Sequence, residues 1–256
     1  MATIVPLTII IPFRNEEDNL HRCLKNLKNQ NDAVFSVICI DDHSTDSSSE
    51  EYKRAVGDDE RFSLLKLKLD KGKKAAIELG MSHCQTEWVI TRDADTESNH
   101  DNLKVISDII QNTPEKEMII LPVKSQRFKD GQGIWQRIFA FEFHTLMSAG
   151  LACAFGNMPI MANGANMAFT KSLFEQLDGY RGNRSTSSGD DIFLLQKVAA
   201  KNRNLIGVSA EYKSAVRTDL PSSFRQWLIQ RIRSPPLDLS YTKRDHLPRH
   251  DLLHLL

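Results

Sequence analysis

The chain is expected to fold as an α/β domain with a mostly parallel central sheet and helices on both faces. Two observations predict this. Continuous β-branched runs such as "LTIIIPF" and "FSVICID" have the length and composition of strands buried on both faces. Segments of helical apolar spacing separate them at a steady pace, the rhythm of βα units.

Taken in order, "LTIIIPF" is the first strand. In "NEEDNLHRCLKNLKNQ", Leu20, Cys23, Leu24 and Leu27 follow helical spacing, with Asn15 the candidate N-cap and acids in the first turn. "FSVICID" is the second strand, "SSEEYKRAV" a short helix, "FSLLKL" the third strand and "KKAAIELGMSHC" a helix. "EWVIT" is the fourth strand, followed by the helical "HDNLKVISDIIQN" and a fifth strand, "MIILPV". After about residue 124 the rhythm changes. A long aromatic helix covers "GQGIWQRIFAFEFHTLMSAGLACAF", "NMAFTKSLFEQLDGY" reads as strand, short helix and turn, and "DDIFLLQKVAAKN" is a helix with Ile192, Leu195, Val198 and Ala199 on one face. "LIGVSAEYKSAVRTDLP" reads as strand-like, and "SSFRQWLIQRIR" as an amphipathic helix that buries Phe224, Trp227, Leu228 and Ile232. His144 is expected to pack within the aromatic helix and is not assigned as a ligand.

Bulk properties narrow the function. Lys and Arg balance Asp and Glu, so the chain lacks the basic excess of a nucleic-acid binder, and an anionic substrate must be held by a local site. The four cysteines, Cys23, Cys39, Cys84 and Cys153, are widely spaced and read as reduced thiols of a cytosolic protein. The N-terminal "MATIVPLTIIIPF" lacks the basic n-region of a signal peptide. No apolar run is expected to span a membrane, because Gly156, Asn157, Pro159 and Asn163 interrupt the most apolar stretch.

Chemistry-bearing residues follow each early strand: "PFRNEE", then Asp41 and Asp42, then a Gly-Lys turn with Lys73 and Lys74, then "RDAD" with Asp93 and Asp95. In a parallel sheet these ends share one edge, where ligands of such sheets bind. Acceptors at Asp41, Asp42 and the "PFRNE" turn suit a base and ribose. Asp93 and Asp95, two apart on an extended turn, can face the same way while Ala94 points back. Such a pair suits Mg²⁺ or Mn²⁺, with phosphate oxygens and water completing the shell. Each element alone is weak, since an acidic loop is commonly just solvated and a Gly-Lys pair just a turn. Asp190 and Asp191, taken alone, fit helix N-terminal acids.

The blocks "IIIPFRNEEDNLHRCLKNLKNQ", "ICIDDHSTDSS", "KGKKAAIELG", "VITRDADT", "NGANMAFTKSLFEQLDGY", "GDDIFLL" and "QRIRS" together resemble, in order, the family 2 inverting glycosyltransferases with the GT-A fold, of the membrane-associated type with a Q-R-x-R block. The resemblance runs from about Leu7 to Arg233. It implies that residues 1–233 form the catalytic domain, with a nucleotide-binding half over 1–124 and an acceptor-side half over 125–233, and that 234–256 is an irregular tail. Pro12, Phe13, Arg14, Glu16, Asp41, Asp42, Lys73 and Asp93 would contact the nucleotide sugar, and Asp93 and Asp95 the metal. Asp191 would be the catalytic base, with Asp190 beside it, and Gln230, Arg231 and Arg233 would close over the diphosphate and acceptor. The implied reaction moves a sugar, with UDP the expected nucleotide, to a hydroxyl of a glycan or lipid in cell-envelope glycan synthesis. Sugar choice would fall to the pocket around Asp93–Asp95 and residues 163–168.

The tail departs from the family pattern: Ser234 stands where Trp commonly follows the second Arg, which leaves a nucleotide-binding but impaired relative as an alternative. A nucleotidyltransferase would show a Gly-rich basic stretch where "PFRNEEDN" is acidic, and a receiver domain would be about half this length. The segments 133–155 and 222–233 carry aromatic and basic residues that suit either the core or a bilayer surface, with core packing expected for the first. The protein is expected to act in the cytoplasm at the inner membrane face, on a lipid-linked or exported acceptor.

Overall fold

The computed structural model describes residues 4–126, 133–182, 189–221 and 223–233. Strands β1 (Leu7–Phe13), β2 (Phe35–Asp41), β3 (Phe62–Lys66) and β4 (Trp88–Thr91) lie side by side in the order β3-β2-β1-β4, all parallel. Helices α1 (Leu20–Lys28), α2 (Ser48–Val56) and α3 (Lys73–His83) connect them, and α4 (Asn102–Asn112) follows β4. The seven-stranded sheet is completed by β8 (Met167–Thr170), β6 (Met118–Ile120) and β9 (Ile206–Val208). Strand β8 runs antiparallel between β4 and β6, while β6 and β9 pair in parallel.

The continuous apolar runs are explained by burial on both faces. In β1, Ile9 and Ile11 pack with Leu20, Leu24, Tyr52 and Leu103 of α1, α2 and α4. Ile10 points the other way, into a cluster with Ala76 and Ile77 of α3, Leu173 of α6 (Lys171–Gln176) and Leu195 of α7 (Asp190–Asn202). An alternating strand with both faces apolar therefore fixes a helical layer on each side. Gly80 of α3 shows how close one layer comes: a Cβ there would lie 2.9 Å from Ile10 Cγ2.

Several expectations are corrected. Helix α1 begins at Leu20, so Asn15 is not its N-cap and Glu16, Glu17 and Asp18 precede its first turn. The cause is competition from the loop after β2. Asn15 takes a left-handed turn (φ 55°) and accepts from the Thr45 N–H at 2.8 Å, while the Glu16 N–H donates to Ser48 Oγ at 2.8 Å. The expected fifth strand splits at Leu121–Pro122. Its second part, β7 (Val123–Ser125), joins β5 (Glu97–Ser98) and β10 (Val216–Thr218) in a separate three-stranded sheet. The strand-like segment after α7 divides in the same way, β9 entering the large sheet and β10 the small one.

The long helix α5 (Ile134–Phe155) is as long as expected but is not a core helix. Only Phe139, Ala140, Gly150 and Ala154 are buried, while Trp135 and Phe141 are 54% and 76% exposed. By length and composition it also qualifies as a candidate span, contrary to expectation, because its apolar character extends N-terminally and escapes the breakers at 156–163. Helix α8 (Phe224–Arg233) leaves Phe224 and Leu228 exposed where burial was expected. Ile192 is only partly buried, since α7 turns Phe193, Leu194, Leu195 and Val198 inward. His144 is exposed and shares a hydrogen bond with Ser125 Oγ at 3.0 Å. The cysteines are free, three of them buried.

Candidate active site

The carboxyl ends of β1, β2 and β4 and the N-terminus of α3 deliver the predicted residues to one crevice. In β1, Pro12 sits past the last β4 pairing, Ile10↔Thr91, where its missing N–H costs no ladder bond. Phe13 turns its ring into the core, 3% exposed, and its carbonyl accepts from the Asp42 N–H at 2.9 Å. Its predicted role can therefore be carried only by its backbone. Arg14 is exposed at the turn. Glu16 is half-buried, and its carboxyl is raised by burial, then by the Asp95 and Asp93 charges, against a hydrogen bond from Asn19.

Asp41 and Asp42 are both buried, and each has defined partners. Asp41 Oδ1 accepts the Ser44 N–H at 2.8 Å and Oδ2 faces Lys66 Nζ at 3.5 Å. Asp42 Oδ2 accepts the Gly72 N–H at 2.9 Å. That bond ties the end of β2 to the Gly-Lys turn. The turn requires glycine, because Gly72 has φ 96°. It places Lys73 as the first residue of α3, aimed across the crevice.

Lys73 is where the two halves of the chain meet. Its Nζ donates to Asp93 Oδ1 at 2.6 Å and lies 3.8 Å from Asp190 Oδ2. Burial alone would lower this ammonium's pKa, but Asp93, Asp190 and Asp191 hold it well above the ordinary lysine value. Asp191 keeps partial exposure beside buried Asp190, at the start of α7. Its Oδ2 accepts the Gly164 N–H at 2.9 Å and its Oδ1 the Ile192 N–H at 2.8 Å. Burial, then the Asp190 charge, push the Asp191 carboxyl up to about 6, against Lys73 and the two N–H donors. Each oxygen keeps a further lone pair for an incoming hydroxyl.

The Asp93–Asp95 turn has the predicted alternation. Ala94 is 3% exposed in the core, while both acids are partly exposed. Asp95 Oδ2 accepts from Thr218 Oγ1 at 2.6 Å, and its carboxyl is raised by burial and then by Asp93. A divalent cation would relieve that repulsion, so the residues fit one. Among the described residues no cluster of three ligating side chains exists, so a cation here needs oxygens from phosphate and water.

Arg231 does not reach these acids. It pairs with Glu142 Oε1 at 2.9 Å, and Glu142 Oε2 also accepts from Trp227 Nε1 at 2.6 Å, so Glu142 anchors α8 on α5. The side chains of Gln230 and Arg233, and the tail from Ser234, lie outside the described residues. Gly164, Thr218 and Glu142 received no roles from the sequence. Gly164 lay within a flagged segment, but no motif marks Thr218 or Glu142.

Comparison with known proteins gives the family and the fold. Residues 8–177, well over half of the chain, match the Glycosyl transferase family 2 family. Asp190, Asp191 and α8 lie beyond the matched span. The undecaprenyl-phosphate 4-deoxy-4-formamido-L-arabinose transferase of Pseudomonas syringae pv. syringae is 34% identical over 96 residues, 36% of this chain and 28% of that protein. A dolichyl-phosphate beta-glucosyltransferase of Trichomonas vaginalis is 25% identical over 153 residues, 56% of this chain and 47% of that protein. The chain spans less than half the length of these curated relatives. The mannosyltransferase PcManGT from Pyrobaculum calidifontis, solved with GDP-Man and Mn²⁺, superposes with a TM-score of 0.63 at 18% identity, covering 89% of this chain and 60% of that one. S. aureus TarS 1–349 with UDP-GlcNAc gives 0.60 at 16% identity, covering 87% and 61%. These likenesses establish the GT-A fold. With seven ordered sequence blocks, that fold and the matched span in agreement, the chain belongs to glycosyl transferase family 2.

Proposed function

We propose that this chain transfers a sugar from a nucleotide diphosphate donor, with UDP the expected nucleotide, to a hydroxyl of a lipid-linked or glycan acceptor, inverting the anomeric centre. The observation that carries this reading is the ionic chain from Asp93 through Lys73 to Asp190, with Asp191 beside it. It supports the reading by bringing Asp93, the acid expected on the diphosphate side, near the partly exposed Asp191. Asp41, Asp42, Pro12, Arg14 and Glu16 line the base and ribose side, with the Phe13 backbone. Asp93 and Asp95 would hold Mg²⁺ or Mn²⁺, which supplies charge stabilisation to the leaving diphosphate. Asp191 takes the proton of the acceptor hydroxyl as that oxygen bonds to the anomeric carbon and the carbon–oxygen bond to the diphosphate breaks. Residues 1–124 and 125–233 then serve as donor and acceptor halves, the second reading sugar shape through residues 163–168. The relatives named for undecaprenyl- and dolichyl-phosphate support a lipid-linked acceptor. The test is release of free nucleoside diphosphate across a panel of UDP- and GDP-sugars with and without Mn²⁺. We expect one donor to be turned over only with metal; no turnover of any donor with hydroxyl-bearing glycan or glycolipid acceptors would overturn the reading.

The same proposal places the protein on the cytoplasmic face of a membrane. Trp135, Phe139, Phe224 and Trp227 form a ring cluster joining α5 to α8, with Phe139 and Trp227 stacked at 5.5 Å. Around it Ile134, Ile138, Phe141 and Leu228 are exposed, with Arg137 and Arg225 also exposed on the same helices. An apolar face flanked by cations suits an anionic bilayer surface. Co-sedimentation with phosphatidylglycerol vesicles at low salt is expected, and Phe141→Glu should release the protein; equal sedimentation with and without vesicles would remove the membrane from the proposal.

A further inference from the structure

We propose that Lys73 is the resident cation of the unloaded site: its ammonium holds Asp93 against Asp190 and has to leave Asp93 before a divalent metal can bind there. The inference rests on the reading that Asp93 and Asp95 are the metal-holding pair. Three observations support it. Lys73 Nζ lies 2.6 Å from Asp93 Oδ1, a direct ion pair on the oxygen a metal would need. The same Nζ lies 3.8 Å from Asp190 Oδ2, so a second carboxylate waits to take the charge when Asp93 is occupied. The ammonium is also closely packed: a Cβ on Gly164 would come within 3.1 Å of Nζ and 3.2 Å of Asp190 Oδ2, so both atoms lie directly against that glycine.

The physical consequence is a built-in competitor. Asp190 is 9% exposed, so leaving it without a counter-charge is costly. Lysine suits the task, being a compact charge on a flexible stem that can swing between partners, which a rigid guanidinium fork does less readily. A metal arriving alone must displace the ammonium from Asp93 and leaves it only Asp190, which it already neighbours. A metal arriving with a nucleoside diphosphate brings phosphate oxygens that the displaced ammonium can approach. Lys73 thereby makes metal binding depend on nucleotide, and its release from Asp93 carries donor binding across to Asp190, next to the base.

Mn²⁺ titrated into the full chain, followed by loss of the free-ion EPR signal, tests this with no turnover required. Wild type should bind Mn²⁺ weakly alone and tightly once UDP is added. Lys73→Met, with Lys73→Gln as the alternative neutral variant, should bind Mn²⁺ alone about tenfold tighter or more, because a like charge has left the site. UDP should then add far less to it than to wild type. Lys73→Arg should stay weak without UDP. Lys66→Met, which removes a charge beside Asp41 instead, should shift Mn²⁺ affinity by less than about twofold. Unchanged or weaker Mn²⁺ binding in the neutral Lys73 variants would overturn the inference and leave the metal site standing. An equal gain in Lys66→Met would also overturn it, by showing a bulk charge effect. Absence of Mn²⁺ binding to wild type even with UDP would overturn the inference and the metal reading together.

Discussion

Asp191→Asn should slow sugar transfer by about two to four orders of magnitude while donor affinity stays close to wild type. Asparagine keeps the shape of the side chain and one acceptor oxygen, so it retains one of the two bonds from the Gly164 and Ile192 N–H groups that hold Asp191. What it cannot do is take the proton from the acceptor hydroxyl. In the proposed function the donor is held elsewhere, by Asp41, Asp42 and the Asp93–Asp95 turn, so the loss should fall on the chemical step. Paired measurements separate the two: UDP-sugar affinity by calorimetry, and transfer by product formation. Wild-type transfer by the variant would remove Asp191 as the base. The wild-type pH profile carries the same information. Burial and Asp190 push the Asp191 carboxyl up to about 6, and the base acts only when ionised. Below that pH the proton occupies the acceptor site, so kcat/KM should fall about tenfold per pH unit, and above it the rate should level off. Asp190→Asn removes the negative neighbour that raises this carboxyl. The acidic limb should then move to lower pH, with a smaller loss of rate than in Asp191→Asn.

Asp95→Ala should abolish metal-dependent UDP binding and leave the fold intact. Its side chain lies at the surface crevice, partly exposed, while the core contact of the turn is made by Ala94. Calorimetry with UDP and Mn²⁺ measures the first part and thermal unfolding the second; full metal dependence in the variant would exclude Asp95 from the site. The Thr218 hydroxyl that fixes Asp95 at 2.6 Å gives a graded companion. Thr218→Val should cost about tenfold to a hundredfold in metal affinity, the usual effect of losing a group that orients a ligand. The Asp95 carboxyl is raised by burial and by Asp93. Acid should therefore weaken metal binding at a higher pH than an ordinary aspartate would allow, since protons compete for the same oxygens.

The fold was legible where residues are buried by their immediate neighbours. Strands β1 and β2 and helices α2 and α7 have the bounds that the apolar runs and helical spacing predict. A strand covered on both faces must be apolar at every position, and that signature needs no knowledge of partners. The convergence of the candidate site residues was legible for the same reason. Parallel neighbours bring strand ends together, so residues after successive strands, Asp42, Lys73 and Asp93, had to converge.

Long-range pairing decided the rest. Nothing in "MAFT" says that β8 inserts antiparallel between β4 and β6, yet this insertion carries Gly164 to Asp191 and the second half of the chain to the first. Pro122 ends one strand, but which sheet β7 then joins depends on β10, almost a hundred residues later. The helical pattern over α5 is the same whether its apolar side meets protein or solvent, and only the packed structure shows how little of it is covered. Asn15 had the chemistry of an N-cap, and a loop thirty residues away claimed it instead. Sequence by itself determined the chemistry available at the sheet edge, because side-chain type and local period are local facts. Tertiary structure alone decided which charges meet, Lys73 with Asp93 and Asp190 above all, because an ion pair is a matter of distance and distance across a fold is set by pairings that no local pattern encodes.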